Sequence, residues 1–423
     1  MRKMKDSGVG WIGQIPEDWT IAPLKKKMES IVDYRGKTPT KTETGVFLVT
    51  AKNIKNGRID YEASKEYVRA EEYNNIMQRG YPKVGDVLFT TEAPLGEIAN
   101  VDREPIALAQ RVIKFRGIES EIDNYFLKYW MISSGLQEFL KTLATGSTAV
   151  GIKASKLFML IIACPSYAEQ QAIVGFLDEK CGKIDLAMSK AKEQIEKLKS
   201  YRQSLIIEAV TKSLDKSVKM KDSGVEWIGQ IPEKWDVRKL KTIAEIIIGQ
   251  SPDSEDYNLD GKGFPFLQGN ADFTLLYPAE RVYTLSANKY SEVNDILLSV
   301  RAPVGSKNIS DKKYAIGRGL CAIRCTNSYY KFMWYLVDLM KVELDIFSIG
   351  STYDSINTDD VRNMRCPFPT YKEQIIIANY LDRKCKQIDD TIVKKEGLIE
   401  QLAEYKKALI FEVVTGKMEV SMR

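Results

Sequence analysis

The chain reads as an α+β protein built as an internal tandem repeat: two small mixed α/β domains separated by two long coiled-coil helices. Three observations predict this. Residues 165–211 match residues 369–415 without a gap at a constant offset of 204. A 17-residue leader returns almost unchanged after the first of these stretches. Within each long stretch the apolar residues recur in steps of four and three, the period of a helical seam.

The leader segments occupy residues 1–19 and 219–235. KMKDSGVGWIGQIPEDW, from Lys3 to Trp19, comes back as KMKDSGVEWIGQIPEKW from Lys219 to Trp235, changed only at Gly10/Glu226 and Asp18/Lys234. Its glycines and proline predict extended and turn backbone rather than helix. Trp11, Ile15 and Trp19, like Trp227, Ile231 and Trp235, are spaced to pack on another element, so each leader is expected to brace the end of a long helix.

Two variable domains follow, at residues 20–160 and 236–364. Scattered echoes indicate a shared scaffold: Gly85-Asp86-Val87-Leu88 beside Asn294-Asp295-Ile296-Leu297, Ala93-Pro94 beside Ala302-Pro303, Trp130 beside Trp334, and Gly146-Ser147-Thr148 beside Gly350-Ser351-Thr352. Short β-rich runs bounded by Gly, Pro and Asn predict strands at Phe47–Thr50, Val87–Thr90, Arg111–Phe115, Asp295–Ser299 and Leu320–Arg324. Tyr125–Leu140 and Tyr329–Leu344 read as aromatic helices.

The long helices are placed at residues 165–212 and 365–417. In the first the seam runs Leu177, Cys181, Ile184, Met188, Ala191, Ile195, Leu198, Arg202, Leu205, Ala209. In the second it runs Leu381, Cys385, Ile388, Ile392, Lys395, Ile399, Leu402, Lys406, Leu409, Val413. A 3.5-residue repeat held over this length is a coiled-coil seam, and some 40 helical residues make a rod of roughly 60 Å. Each seam needs a cover, and the other copy supplies it. Both are interrupted by a cation at one equivalent place, Arg202 and Lys406, which reads equally as a register or partner-contact device and as a solvated rim position. The apparatus that spaces is thus repeated almost unchanged, while what it spaces differs: a design for reading two different things at a fixed separation.

With 423 residues, 44% hydrophobic and 28% charged, the chain has the composition of a soluble protein of two or three domains. It shows neither an apolar run of transmembrane length nor a secretory leader, so a cytoplasmic protein without a membrane partner is expected. A net charge of +5 suits nucleic-acid binding through a local basic surface or with a partner's help. There is no histidine, which removes Ser-His-Asp and Cys-His nucleophiles, His general bases and His-ligated metals. Of the six cysteines, Cys181 and Cys385 lie on the seams, and Cys321 with Cys325 lacks the second pair of a zinc site.

Several loops in the variable domains combine residues that pair with base edges and phosphates. They are Tyr34-Arg35-Gly36-Lys37-Thr38, Thr50-Ala51-Lys52-Asn53, Gln110-Arg111, Gln250-Ser251, Gln268-Gly269-Asn270, Ser299-Val300-Arg301 and Gly317-Arg318-Gly319. Solvated loops of any protein share this composition. Gly36-Lys37-Thr38 is no phosphate-binding loop, because Ile31 stands where the first glycine belongs and Pro39 follows. Asp253, Asp260 and Lys262 have the letters of a metal-dependent nuclease, set in a polar loop rather than on strands. The chain contains no Pro-Pro, so an Asn-Pro-Pro-aromatic methylation motif is absent.

Taken together, the leader WIGQIPEDW, the variable domain, the Gly-Ser-Thr turn and the Pro165…Glu169-Gln170 helix start, all repeated through Pro369…Glu373-Gln374, resemble the specificity subunit of type I restriction-modification systems. The resemblance covers essentially the whole chain. It implies two target recognition domains on two conserved helices that pair antiparallel, relating the halves by a pseudo-two-fold. Each domain would read one half of a bipartite, asymmetric target in double-stranded DNA. The helices would set the gap and dock methyltransferase subunits, the restriction subunit joining through that complex. No cofactor is expected on this chain; S-adenosylmethionine, ATP and Mg belong to the partner subunits. The implied readers are Lys37, Asn53, Arg111 and Ser147 in the first domain and Gln250, Asn270, Arg301, Arg318 and Ser351 in the second. Arg35, Lys52, Thr148, Gln268 and Thr352 are further expected DNA contacts. The competing readings are an autonomous metal-dependent nuclease and a coiled-coil adaptor for other proteins.

Overall fold

A computed structural model describes residues 2–34, 39–145, 151–349, 356 and 358–421. It resolves into two compact units that are not the two sequence repeats: Met1–Lys192 with Glu396–Arg423, and Glu193–Lys395. Each long helix is therefore shared, its first part belonging to one unit and its last part to the other.

In the first unit the leader is a hairpin, Met4–Asp6 antiparallel to Gln14–Pro16, and the Asp6 carboxylate accepts from Gly8 N at 3.0 Å to shape the turn. The main sheet has four strands in the order Leu95–Asn100, Val87–Thr91, Val112–Gly117, Met28–Asp33, all antiparallel. Beside it, Val46–Val49 runs parallel to Ile106–Leu108 and antiparallel to Tyr67–Val68. The single helix expected at Tyr125–Leu140 is two, Asn124–Ile132 and Ser134–Leu143. Ser133 separates them with extended backbone (φ −56°, ψ 141°), its hydroxyl donating to Trp130 O at 2.6 Å. A serine that satisfies its own backbone in this way competes with helix continuation.

The second unit repeats this plan with different residues. Its leader hairpin pairs Met220–Asp222 with Gln230–Pro232. Its four-stranded sheet has the matching order Lys307–Ile309, Ile296–Ser299, Leu320–Cys325, Ala244–Ile248. A five-stranded sheet holds the parallel pair Phe264–Leu267 and Tyr314–Ile316. The aromatic helix Tyr330–Ile349 is continuous. Both domains are β-rich. The central strands of each four-stranded sheet are buried on both faces: Phe89 and Phe115, like Ile296 and Ile323, join a core shared with the helices, while Leu88 and Val112, like Leu297 and Ala322, join a second core under the smaller sheet.

One element of the scaffold is a buried ion pair repeated in both units. Asp86 takes two bonds from Arg116, at 2.7 Å each, and Asp295 takes 2.9 Å from Arg324. Burial pushes the Asp295 carboxyl up despite the Arg324 guanidinium, and burial likewise lowers Lys114, which lies 3.6 Å from Asp86. Losing either partner would strand a buried charge.

The long helices run Tyr167–Lys212 and Tyr371–Val414. Within each unit they pack antiparallel: Lys406 meets Asp185 in the first, and Arg202 meets Asp389 and Lys395 meets Gln194 in the second. Leu177, Cys181, Ile184, Ala191, Ile195, Leu205, Leu381, Cys385, Ile388 and Leu409 are buried, while Met188, Leu198, Ile392, Ile399 and Leu402 are half-covered. Partial cover is what a two-helix contact provides where no third element lies over it.

The Glu-Gln pair at each helix start ties three elements together. Gln170 is fully buried; its Nε2 donates to Glu121 O (2.8 Å) and Pro165 O (3.1 Å), and its Oε1 accepts from Asp123 N (2.8 Å), the N-cap residue of the aromatic helix. Gln374 does the same with Pro369 O (3.0 Å) and Tyr329 N (2.7 Å). Glu169 accepts from the buried Trp19 indole at 3.0 Å and pairs with Arg2. Glu373 takes Trp235 at 3.2 Å and closes a capping box with Thr370. The expected brace is thus an indole–carboxylate bond at the helix start, and Gly416 completes it from the far end of the second helix, where a Cβ would lie 2.4 Å from Pro16.

Candidate nucleic-acid interface

In each domain the parallel strand pair ends, on one side, in the loops that carry the expected readers. Ala109 N donates to Val49 O at 3.0 Å, which sets the Thr50–Asn53 turn beside Gln110-Arg111. Gly317 N donates to Leu267 O at 2.8 Å, which sets Gln268–Asn270 beside Arg318.

In the second domain these loops converge on a shallow cleft of about 210 Å³ lined by Ser251, Gln268, Asn270, Arg301 and Arg318. Two close approaches make it possible. A Cβ on Gly249 would lie 2.1 Å from Gly317 O, and one on Gly319 would lie 2.9 Å from Gln268 O. Two backbone bonds and one side chain hold the rest: Gln250 N donates to Ile316 O at 2.8 Å, Val300 N to Gly319 O at 3.0 Å, and Gln268 N to the Asp272 carboxylate at 2.9 Å. The side chains of Gln250, Gln268, Arg301 and Arg318 are left exposed and Asn270 half-buried. Among the described residues no carboxylate pairs with Arg301 or Arg318. Two unpaired guanidiniums beside two amides form a donor-rich surface suited to guanine edges and phosphates.

The first domain differs. Arg111 pairs with Glu92 at 2.8 Å and has a φ of +78°, held by its carbonyl accepting from Thr91 N at 2.9 Å and Thr91 Oγ1 at 3.2 Å. Lys52 is exposed. The reading role expected of Asn53 is corrected: it is fully buried, its Oδ1 accepts from Thr50 N and Oγ1, and its amide donates to Asp60 O and Ser64 O. With all four positions used, Asn53 organises the loop and has nothing left for a base. Arg35, Lys37, Ser147, Thr148, Ser351 and Thr352 lie outside the described residues.

The echo of Trp130 with Trp334 is also corrected. Gln170 binds Asp123 N and Gln374 binds Tyr329 N, and Tyr129 and Tyr335 donate to Asp178 and Asp382. That register sets Trp334 on Lys128 and Leu336 on Trp130. Lys307 fills the space against Trp334, 3.9 Å over its ring and 2.7 Å from Asp338. A larger cleft in the first unit, about 490 Å³, includes Arg58, Glu97, Lys128, Asp178, Asp185 and Lys406. Its mixed charge suits a phosphate backbone poorly.

A family model described as the Type I restriction modification DNA specificity domain matches residues 16–197 and again residues 232–403. The chain belongs to this family. The MjaX type I restriction enzyme specificity subunit of Methanocaldococcus jannaschii, so named, is 31% identical over 97% of this chain and 96% of its own. The MjaIX specificity subunit of the same organism is 23% identical over 97% and 95%. Among solved structures, a chain from work on complex assembly and conformational transition of the type I R-M system superposes with a TM-score of 0.80 at 24% identity, covering 96% of this chain and 99% of that one. The HsdS subunit from Thermoanaerobacter tengcongensis gives 0.59 at 24% identity, covering 96% and 98%. This specificity subunit is accordingly the non-catalytic, DNA-specifying component of a type I system, and such subunits are generally cofactor-free. Among the described residues no helix is long and apolar enough to cross a membrane.

Proposed function

We propose that each domain of this specificity subunit reads one half of a bipartite, asymmetric site in double-stranded DNA, the paired helices holding the two readers at one gap. The observation that carries this reading is the donor-rich cleft of Gln268, Asn270, Arg301 and Arg318, set in one domain at the strand ends where the other presents Glu92 and Arg111. One scaffold with unlike side chains at its reading edge recognises unlike sequences. The outward helix faces, where Tyr201 and Tyr405 are 57% and 56% exposed and Leu186, Val393 and Leu398 are also exposed, supply the surface for methyltransferase subunits. The restriction subunit joins through that complex, and S-adenosylmethionine, ATP and Mg act on the partners. In a cytoplasmic setting the target is the cell's own and incoming DNA.

Asp253 and Asp260 do not favour the nuclease alternative. Both are exposed, and Lys262 pairs with Asp260 at 3.6 Å with both side chains about 70% exposed, a mobile surface contact rather than a fixed carboxylate pair. The test is selection of duplexes from a random pool by the chain assembled with its methyltransferase subunits at moderate salt. An enriched pair of short, unlike sequences at one fixed gap is expected. Binding without sequence preference would overturn the reading in favour of the adaptor.

A further inference from the structure

Glu92 and Arg301 occupy the same place in the two domains and carry opposite charge. The hydrogen bonds establish the equivalence. Thr90 and Ser299 each donate a hydroxyl to a proline carbonyl, Pro94 and Pro303, at 2.6 Å. The same hydroxyls accept from Glu97 N (2.9 Å) and Ser306 N (3.1 Å). One residue on, Thr91 N donates to Arg111 O (2.9 Å) and Val300 N to Gly319 O (3.0 Å), while Thr91 O and Val300 O accept from Ile152 N (2.9 Å) and Ile356 N (3.0 Å). The next residue in each chain segment is Glu92 or Arg301, immediately before Ala-Pro.

We infer that this position sets the polarity of base reading in each domain, with Glu92 paired to Arg111 as the reader of a C·G pair in the first half-site. The inference rests on the half-site reading proposed above. A carboxylate only accepts. In the major groove cytosine offers a lone donor, N4, whereas adenine sets its N6 donor beside the N7 acceptor, which would repel the second carboxylate oxygen. The guanine across the pair offers O6 and N7, acceptors for the guanidinium held 2.8 Å from Glu92. Acceptor and donor side by side on one edge match the cytosine donor and guanine acceptors of a single base pair. Both side chains are open to a ligand, Arg111 being 48% and Glu92 36% exposed, and an ion pair so exposed adds little to folding. In the second domain Arg301, with no carboxylate beside it among the described residues, donates to guanine alone.

The experiment compares wild type, Glu92→Gln and Arg301→Gln, each assembled with methyltransferase subunits, by selection from a random duplex pool and then by competition between single-base variants of the enriched site. Glu92→Gln, whose amide suits adenine, should reduce the preference for cytosine at one position of one half-site about tenfold and leave the other half-site unchanged. Arg301→Gln should do the converse, lowering the preference for guanine in the other half-site. Unaltered preference at every position, or an equal loss for all sequences, would overturn the assignment while leaving half-site reading intact. Failure of the wild type to enrich two half-sites would overturn both.

Discussion

Lys406 Nζ lies 2.7 Å from both carboxylate oxygens of Asp185, across the two long helices. The repeat converts this contact into a second, Arg202 with Asp389 at 3.0 Å, because Asp185 and Asp389, like Arg202 and Lys406, are the same position in the two copies. Parallel, in-register pairing would set aspartate against aspartate. Opposite charges meet only when the helices run antiparallel, so the polar break in each seam specifies direction, a use for which buried or half-buried polar residues in coiled coils are well suited. Arg202 Nε makes this contact without an aligned hydrogen bond, so its effect is chiefly one of charge.

Lys406→Ala should lower stability by less than about 1 kcal/mol, since the Asp185 side chain is 57% exposed. Lys406→Asp should cost more, and adding Asp185→Lys should restore most of the loss. Thermal denaturation of the single and double variants measures this coupling, and a coupling of zero would remove the directional role.

Gln170→Ala should destabilise the chain by about 1 to 3 kcal/mol, because Asp123 N and Glu121 O lose a buried partner. Hydrogen exchange gives the sharper readout. The Asp123 amide should lose protection while the Tyr329 amide, held by Gln374, keeps it; Gln374→Ala should reverse the pattern.

Burial pushes the Lys307 ammonium down to about 8, against the favourable Asp338 carboxylate beside it. The unfolded value is about 10.4. Below pH 8 both states hold the proton and the penalty of a buried charge is fully present. Between about pH 8 and pH 10.4 the unfolded chain holds more protons than the folded one, so this group's contribution to stability rises with pH. Denaturation of wild type and Lys307→Met at pH 7 and pH 10 should show wild type gaining roughly 1 to 3 kcal/mol relative to the variant.

Arg301→Ala should relax discrimination in one half-site by about 1 to 3 kcal/mol and leave the other intact. Equal losses in both half-sites, measured by competition binding, would remove Arg301 from base reading.

Inserting seven residues into each long helix beside Gln194 and Lys395, which face each other at 2.6 Å, preserves the seam period. The gap between selected half-sites should lengthen while their sequences stay the same. Changed half-sites at an unchanged gap would make the helices readers.

Much of this architecture was legible because the chain contains its own comparison. Leu177 and Leu381, or Trp19 and Trp235, announce themselves by recurring, and apolar runs such as Val87–Thr90 locate the sheets. Glu92 stayed hidden because its meaning depends on register between domains that share little sequence; its place before Ala93-Pro94, opposite Arg301 before Ala302-Pro303, was the available signal. Asn53 misled because exposed readers and buried loop staples use the same amide chemistry. The helix break at Ser133 and the close approaches at Gly249 and Gly319 depend on tertiary neighbours that no local pattern records.

The junction between helix end and leader is made differently in the two units. In the second, the end of the Tyr167–Lys212 helix continues through residues 213–218 into the leader hairpin at Met220. In the first, the end of the Tyr371–Val414 helix reaches the other leader by packing alone, Gly416 against Pro16 and Trp19. A leader thus seats on a helix end whether or not chain runs directly between them. A circular permutant that links residue 421 to the first leader by a short peptide and is cut at residues 213–218 should fold to the same contacts within each unit. Peptide continuity is then dispensable at a junction that packing already makes.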